Sequence, residues 1–360
     1  MKTEIKASDL MQTLAVVAPV VPSRSIIPAL SQVRFGGNTI SGTNLDIEVV
    51  ADIAAMESGF EGAINARQLR NLIRYVPGDE TITISGGDAV NVTFNGSNYR
   101  FGSQIGDNPV FGNNAEVPNW GKCHNIDLIA ALRGVGFAAS SEHTRYYLNG
   151  VYFEADGDGT LAVATDGRML ASWRMPAVEA LHGRIVPSFA VDYMLSRKVS
   201  PDEIGTGEKY MRAKWPGITM SSRLIDGTYP NWRRVVPAAG DQWFTIDIAT
   251  WRLALTRIYH AHQGASAKPV KFKVGSGEAS LSGTFYTFER IDWKETLPVI
   301  LSANMGKMPE FGFSAAYLLL SLNAFRGCET VTMFVSGPSD PALMVADNHP
   351  LSITIMPMRV

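Results

Sequence analysis

Apolar residues recur at i, i+4 and i+7 in three places along the chain: Leu10, Leu14 and Val17; Leu128, Leu132 and Val135; Trp251, Leu255 and Ile258. Such spacing marks one face of an amphipathic helix. A second helical pattern follows each one, as Leu69 with Ile73, Val191 with Leu195, and Leu318 with Leu322. Copies of the first pattern lie 118 and 123 residues apart, and those of the second 122 and 127. Helices are predicted over 8–21, 64–76, 127–140, 188–198, 248–262 and 313–326. Asp9 and Asp127 precede the first apolar residue of two of them, where negative charge favours a helix N-terminus. Gly78 and Gly327 follow two others as stop signals. Between the helices the text alternates, as in Thr81–Ile84, Gly150–Glu154 and Val331–Val335, which predicts strands. One strand-and-turn segment also recurs: Thr43-Asn-Leu-Asp-Ile47 aligns with Thr165-Asp-Gly-Arg-Met169 at an offset of 122.

Several registers agreeing near 120 residues point to triplication. The predicted fold class is α+β: three tandem copies of a two-helix, antiparallel-sheet unit, covering 1–120, 121–243 and 244–360. Three unrelated α+β domains would explain the length but not the common spacing. The 360 residues suit two or three domains, and 46% hydrophobic residues exclude a disordered chain. Cys123 and Cys328 are too few for a disulfide framework, which favours a reducing, cytoplasmic setting. The most apolar stretches, Leu10–Val21 and Phe313–Phe325, are too short to span a bilayer. Glu4 and Asp9 make the N-terminus unlike a signal peptide.

A net charge of −2 argues against a nucleic-acid partner unless the charges are segregated. They are. The six predicted helices hold nine basic residues (Arg67, Arg70, Arg74, Arg133, Arg197, Lys198, Arg252, Arg257 and Arg326) against Asp9, Asp127 and Asp192, so the rest of the chain is acidic by eight. Arg67, Arg70 and Arg74 form one stripe, away from Leu69, Leu72 and Val76, with no carboxylate on that helix. One such face alone reads equally well as ordinary solvated surface. A shared cationic surface would attract a polyanion without reading bases.

A search for catalytic chemistry finds no GxSxG, P-loop, GxGxxG or HExxH string. His260 and His262 have no nearby Asp, Glu or Cys to complete a metal site, Asp166-Gly167 reads as a turn, and the two cysteines read as core. No cofactor, no metal and no catalytic residue is expected.

The strings Thr144-Arg-Tyr-Tyr-Leu-Asn-Gly150, Val163-Ala-Thr-Asp-Gly-Arg-Met-Leu-Ala171, Ser222–Pro237 and Met356–Val360 change this picture. On them the chain resembles the bacterial DNA polymerase III beta subunit family, the sliding clamps, over essentially its whole length. The resemblance implies a DNA clamp fold and a head-to-tail homodimer, six copies of the repeat closing a ring with helices lining the hole. It implies a non-enzymatic processivity factor that encircles double-stranded DNA without sequence preference and serves a replicative polymerase, a clamp loader and other partners carrying a short clamp-binding peptide. The implied peptide pocket comprises Leu148, Thr165, Gly167, Arg168, Met169, Leu170, Pro230, Arg234, Val235, Met356, Pro357, Met358 and Arg359. Leu, Val, Met and Pro suit apolar anchors, and Met adapts to several partners. DNA-facing positions would be Arg24, Arg67, Arg74, Arg145, Tyr146 and Tyr147, with Arg70 added from the stripe. Arg100 and Phe101 on an edge strand match the family's dimer seam, with Ile258 as apolar partner; Phe101 could equally be core.

Three departures stand out. Arg168-Met169 reverses the family's usual order after Thr-Asp-Gly, which bears on peptide preference. Ser188-Phe189 replaces a common basic pair after Val186-Pro187. The segment 284–295 is less acidic than usual, reducing seam ion pairs. Two rival readings are an enzyme of DNA or nucleotide metabolism on a tripled scaffold, which needs a convergent acid or metal site, and a peptide-binding scaffold that never encircles DNA.

Overall fold

The computed structural model describes residues 2–54, 59–86, 89–102, 116–123, 126–261, 269–286, 290–304 and 310–359. The first third of the chain runs β1 (Lys2–Lys6), α1 (Ala7–Val17), β2 (Gln32–Gly36), β3 (Thr39–Thr43), β4 (Ile47–Asp52), β5 (Glu61–Asn65), α2 (Ala66–Ile73), β6 (Thr81–Gly86), β7 (Ala89–Phe94) and β8 (Ser97–Gly102). The second runs β9 (Asn119–Lys122), α3 (Leu128–Val135), β10 (Gly150–Asp156), β11 (Gly159–Thr165), β12 (Met169–Pro176), β13 (Arg184–Pro187), α4 (Ser188–Arg197), β14 (Glu203–Thr206), β15 (Tyr210–Trp215) and β16 (Ile218–Arg223). The third runs β17 (Trp243–Asp247), α5 (Ile248–Ala261), β18 (Pro269–Gly275), β19 (Glu278–Tyr286), β20 (Arg290–Pro298), β21 (Ile300–Leu301), β22 (Phe311–Ser314), α6 (Ala315–Ala324), β23 (Thr330–Phe334), β24 (Ala342–Val345) and β25 (Leu351–Ile355). Apart from β21, each third is one strand–helix–three-strand motif written twice. The period near 120 therefore contains a half-period that the apolar spacing left unstated.

Pairing repeats as well as order. In every third the opening strand pairs antiparallel with the first strand of the second meander: Ile5↔Ile82, Ile204↔Gly121 and Phe244↔Met333. The strand before the second helix pairs back onto the first meander: Val33↔Ile64, Val151↔Val186 and Phe272↔Phe311. Two joints then link the last strand of a first meander to the last strand of a second: β4 with β16 (Val49↔Met220) and β12 with β25 (Ala171↔Ile353).

Two compact units result. One comprises Met1–Asn125 with Asp192–Leu224 and holds a sheet ordered β1-β6-β7-β8 and another ordered β5-β2-β3-β4-β16-β15-β14-β9. The other comprises Ile126–Val191 with Ile225–Val360 and holds β13-β10-β11-β12-β25-β24-β23-β17-β21 and β20-β19-β18-β22. Among the described residues, β8 and β20 each end a sheet at a position that a joint fills elsewhere.

The helices are shorter than the apolar pattern predicts, for local reasons. α1 stops at Val17 and passes into a 3-10 turn, Ala18–Val20, where Pro19 lacks the N–H a longer helix needs. α3 ends at Val135 in glycine-rich text and continues as a 3-10 turn, Gly136–Ala138. α2 and α6 begin late because Glu61–Asn65 and Phe311–Ser314 are strands. Three caps recur: Asn65, Asp127 and Asp247 side chains accept from the backbone N–H of Gln68, Ala130 and Thr250 at 3.0, 2.8 and 2.7 Å. Those bonds hold the Asp247 carboxyl below its usual range. Asp9, by contrast, lies within the first turn of α1 rather than capping it.

Leu10, Leu14, Val17, Leu128, Leu132, Val135, Trp251, Leu255 and Ile258 are all buried against the sheets, as their spacing predicts. On α2 the buried stripe is Ala66, Leu69 and Ile73, with Leu72 only half-buried. A Cβ at Gly134 on α3 would come within 2.4 Å of the Trp173 ring on β12, so that glycine sets how closely helix meets sheet. Cys123 is buried, which pushes its thiol up to about 11; it is a core residue rather than a nucleophile.

Glu48 sits on β4 beside the joint, opposite Ser221 of β16. Burial pushes its carboxyl from 4.5 up to about 7, although Arg212 and Arg34 pull it down. An acid whose folded pKa exceeds its unfolded value holds its proton more tightly when folded. Stability is thus favoured at low pH and lost as pH rises from about 4.5 to about 7. Glu48→Gln is expected to raise the urea midpoint above pH 7 and to change it little near pH 4.5; urea titrations at both check this.

Candidate functional site

The turn joining β11 to β12 is built from Thr165–Met169. Thr165 Oγ1 donates to the Met169 carbonyl at 2.6 Å and accepts from Gly167 N–H at 3.0 Å. Asp166 Oδ1 accepts from the N–H groups of Arg168 and Met169 at 2.8 and 2.9 Å. The aligned segment Thr43–Ile47 makes the same bonds: Thr43 Oγ1 to the Ile47 carbonyl, Leu45 N–H to Thr43 Oγ1, and Asp46 and Ile47 N–H to Asn44 Oδ1. Leu45 is held at φ +80° where the second copy has Gly167 at +86°. The substitution has a use. A Cβ at Gly167 would lie 2.7 Å from Arg145 Nη1, so glycine lets that guanidinium rest over the turn.

Around this turn lies a cavity of about 250 Å³, wholly within the second compact unit. Nine residues expected there line it: Leu148, Thr165, Gly167, Arg168, Met169, Leu170, Pro230, Val235 and Met356. Arg145 and Tyr147, expected to face DNA, also line it, and so do Asn231, Trp232 and Thr354, which the sequence reading did not single out. Asn231 and Trp232 fall inside the matched string 222–237, and the strand pattern after Leu351 was the available signal for Thr354. Arg234, Pro357, Met358 and Arg359 are outside the lining; Arg234 and Arg359 are exposed, and Pro357 and Met358 half-buried. Val360 and His262 fall outside the described residues.

The floor is an apolar cluster of Leu148, Val163, Leu170, Ile185, Tyr229 and Trp232. Tyr229 stacks on Tyr152 at 4.7 Å, and burial pushes its phenol up. Trp232 Nε1 donates to Glu154 Oε2 at 2.8 Å, while the Arg233 guanidinium covers the Trp232 ring at 4.6 Å. The walls are tied down from three sides. Met356 N–H donates to the Arg168 carbonyl at 2.9 Å, and Met358 N–H to the Gly312 carbonyl at 2.8 Å. From α6, the Tyr317 hydroxyl donates to Asp166 Oδ2 at 2.7 Å. At the mouth, Arg145 forms a double bond pair with Glu142 at 2.9 and 2.8 Å, which holds the Glu142 carboxyl below its usual range. The result is an apolar slot rimmed by guanidinium groups, and among the described residues no acid lines it. It can grip apolar side chains of a partner while the rim engages polar or anionic atoms.

A second, larger cavity of about 630 Å³ lies between α1 and α2, with Arg67, Arg70 and Arg74 along one wall. Arg24 is exposed on the loop that follows α1, outside that lining, and Tyr146 is exposed with its ring edge-on to Tyr147 at 5.8 Å. Arg257 is a correction to the helix charge count: it pairs with Glu295 on β20, so it is not a free cation of α5. Arg74, Lys198, Arg326 and Asp127 lie outside the shortened helices, which leaves Arg67, Arg70, Arg133, Arg197 and Arg252, with the paired Arg257, against Asp9 and Asp192.

On the edge strand β8, Arg100 is exposed and Phe101 half-buried. Ile258 does not suit the role of apolar seam partner. It is 3% exposed, packed into the core beneath α5, because it belongs to the same inward stripe as Trp251 and Leu255. On β20, Asp292 bonds Thr284 and Arg290, and Glu295 bonds Arg257, so both carboxylates are engaged within their own chain. Among the described residues no group of three or more His, Cys, Asp or Glu could hold a metal ion. Among the described residues no helix is long and apolar enough to cross a membrane.

The described residues thus form a repeated sheet-and-helix scaffold that carries an apolar surface slot and a basic helical cleft. The family model for the DNA polymerase III beta subunit, N-terminal domain, matches residues 1–103, and that for its central domain matches 124–231. The beta sliding clamps of Caulobacter vibrioides and Escherichia coli K12 are 27% and 28% identical, each over the whole of both chains. Among solved structures, the DNA polymerase III subunit beta from Pseudomonas aeruginosa superposes with a TM-score of 0.88 at 27% identity, covering all of both chains. The sliding clamp from Bartonella birtlesii bound to griselimycin does so with a TM-score of 0.88 at 25% identity, also covering all of both chains. The chain belongs to the DNA polymerase III beta subunit family, and its fold is the clamp fold.

Because one carboxylate supplies both the turn and the tie to α6, Asp166→Ala is expected to lower unfolding free energy by about 1–3 kcal/mol. Urea unfolding checks the loss. Asn at the same position, which retains an acceptor for the turn, is expected to recover part of it.

Proposed function

We infer that this chain, a DNA sliding clamp by family, works as a head-to-tail pair of copies that close a ring around duplex DNA and hold partners by a short peptide seated in the Thr165–Met169 slot. Each copy would contribute three clamp units divided near residues 120 and 243. The observation that carries the reading is the pair of unfilled strand edges. Wherever the last strand of one meander meets the last strand of another, the two join antiparallel, β4 to β16 and β12 to β25. One strand of each kind, β20 and β8, is left at a sheet end. A second copy would supply both partners at once, and such a head-to-tail contact closes when the rotation does. An exposed edge is otherwise a liability for a soluble protein.

In this assembly Arg100 and Phe101 sit at the seam. Since Asp292 and Glu295 are already engaged, backbone pairing and apolar contact would carry more of the closure than ion pairs. Arg24, Arg67, Arg70, Arg74 and Tyr146 would meet the duplex through its phosphates. Contacts of that kind are sequence-independent and exchange readily with counterions and water, which suits sliding. Retention then comes from topology rather than tight contact. Arg145 and Tyr147 belong to the peptide slot in this reading, together with the tail from Met356 to Arg359. The occupants would be a replicative polymerase, a clamp loader and other proteins carrying a suitable motif. The clamp performs no chemistry of its own in this scheme and works in the cytoplasm. The alternative of an enzyme on a tripled scaffold is not favoured, because the relatives carry clamp names.

Loaded protein is expected to stay on nicked circular DNA and to run off after linearisation, and Arg67→Glu with Arg74→Glu should shorten its stay on the circle. Gel filtration of the DNA complexes reads both; equal retention on circle and linear DNA would defeat the ring. Removing Met358 through Val360 is expected to leave the dimer intact by light scattering while weakening a clamp-binding peptide at least tenfold in fluorescence polarisation. Unchanged peptide affinity would remove the tail from the site.

A further inference from the structure

The cleft between α1 and α2 has a shape and lining that duplex phosphate alone does not explain. One wall is cationic, from Arg67, Arg70 and Arg74; the other is apolar, from Met11, Val21 and Pro22, and no acid lines the space. At about 630 Å³ it is concave and more than twice the size of the slot beside Thr165. Tyr75, directly after Arg74, is 83% exposed, and the Arg74 guanidinium lies 6.0 Å from its ring centroid. On the loop running from Pro22 to Ser31, whose two ends border the cleft, Ile26 is fully exposed and Ile27 a little under half so. Beside Arg74 the chain thus offers an aromatic face to solvent, and the neighbouring loop offers apolar side chains.

Duplex DNA buries its base faces in its own stack, so it offers a protein phosphates, sugars and groove edges. It would neutralise the arginines and leave Tyr75 and Ile26 wet. A single strand presents phosphates and bare base faces together, and a basic groove with an aromatic platform is the arrangement that holds it. Arg70 and Arg74 are separated by about 6 Å along the helix axis, so they can engage phosphates of one strand in succession. We propose that the α1–α2 cleft seats single-stranded DNA, with the backbone on Arg67, Arg70 and Arg74 and unpaired bases against Tyr75 and the apolar wall. This rests on the reading that the α2 arginines meet nucleic acid, and adds to it a preference for unpaired strand.

The test is fluorescence anisotropy of the full-length protein with a labelled oligothymidylate and with a blunt hairpin duplex of equal phosphate count. Wild type is expected to bind the single strand more tightly. Tyr75→Ala, an exposed change with no packing cost, is expected to weaken the single strand roughly tenfold and leave the hairpin unchanged. Ala18→Phe, which narrows the cleft and leaves every arginine in the sequence, is expected to do the same; a thermal melt matching wild type establishes that it is folded. Equal binding of the two probes by wild type, or a Tyr75→Ala protein that weakens neither or both alike, would overturn the proposal. Charge reversal at Arg67 and Arg74 separates the two readings. If retention on nicked circles falls while wild type shows no single-strand preference, this inference fails and the clamp reading stands. If oligothymidylate binding falls while retention on circles does not, the duplex contact fails and the cleft remains.

Discussion

A β-sheet leaves a row of backbone N–H and C=O groups along each open edge, and how those rows are filled governs this protein. Inside each third, the doubled strand–helix–meander motif fills edges by pairing its two halves back on one another. Between thirds the same need is met by the β4·β16 and β12·β25 joints, which extend four-stranded pieces into sheets of eight and nine strands. Two edges, β8 and β20, are left over by the same rule. In the proposed assembly, edge completion by a second copy would continue a device the chain already uses twice within itself.

The slot beside β12 shows how a repeated local structure acquires a separate use. The turn at Thr43–Ile47 and that at Thr165–Met169 share their hydrogen bonds and their left-handed third residue. In the first copy that residue is Leu45, held at a backbone conformation costly for a branched side chain. In the second, Gly167 removes the cost and the side chain, and Arg145 occupies the room. Met169 turns inward, touched by Ser321 from α6. The reversed order Arg168-Met169 thus puts the charge at the rim and the thioether in the wall. In the proposed role, a rim of this kind over a floor that includes Trp232 and its bond to Glu154 would suit partners that join apolar anchors to polar or acidic neighbours.

Charge is distributed more finely than a division between helices and the rest. Arg257 is spent on Glu295, so α5 contributes less positive surface than its composition implies. The arginines of α2 face a cleft instead, where no acid of the lining offsets them.

Much of the fold was legible in the sequence. The threefold period, the inward stripes of α1, α3 and α5, the strand segments and the matched turn all follow from local rules: 3.6-residue and two-residue periodicity, capping side chains and turn chemistry. Most of the slot's lining came from the resemblance, because Leu148, Thr165, Gly167 to Leu170 and Met356 lie in the strings that carry it. Chain-local pattern could not say which distant strands would meet. The partnership of Ala171 with Ile353, and with it the wall that brings Thr354 to Arg145 and Tyr147, is a contact between residues far apart in sequence. The same holds for Arg257, which is paired with a strand residue 38 positions away. Periodicity tells a side chain which face of its own element it occupies; only packing decides what that face meets.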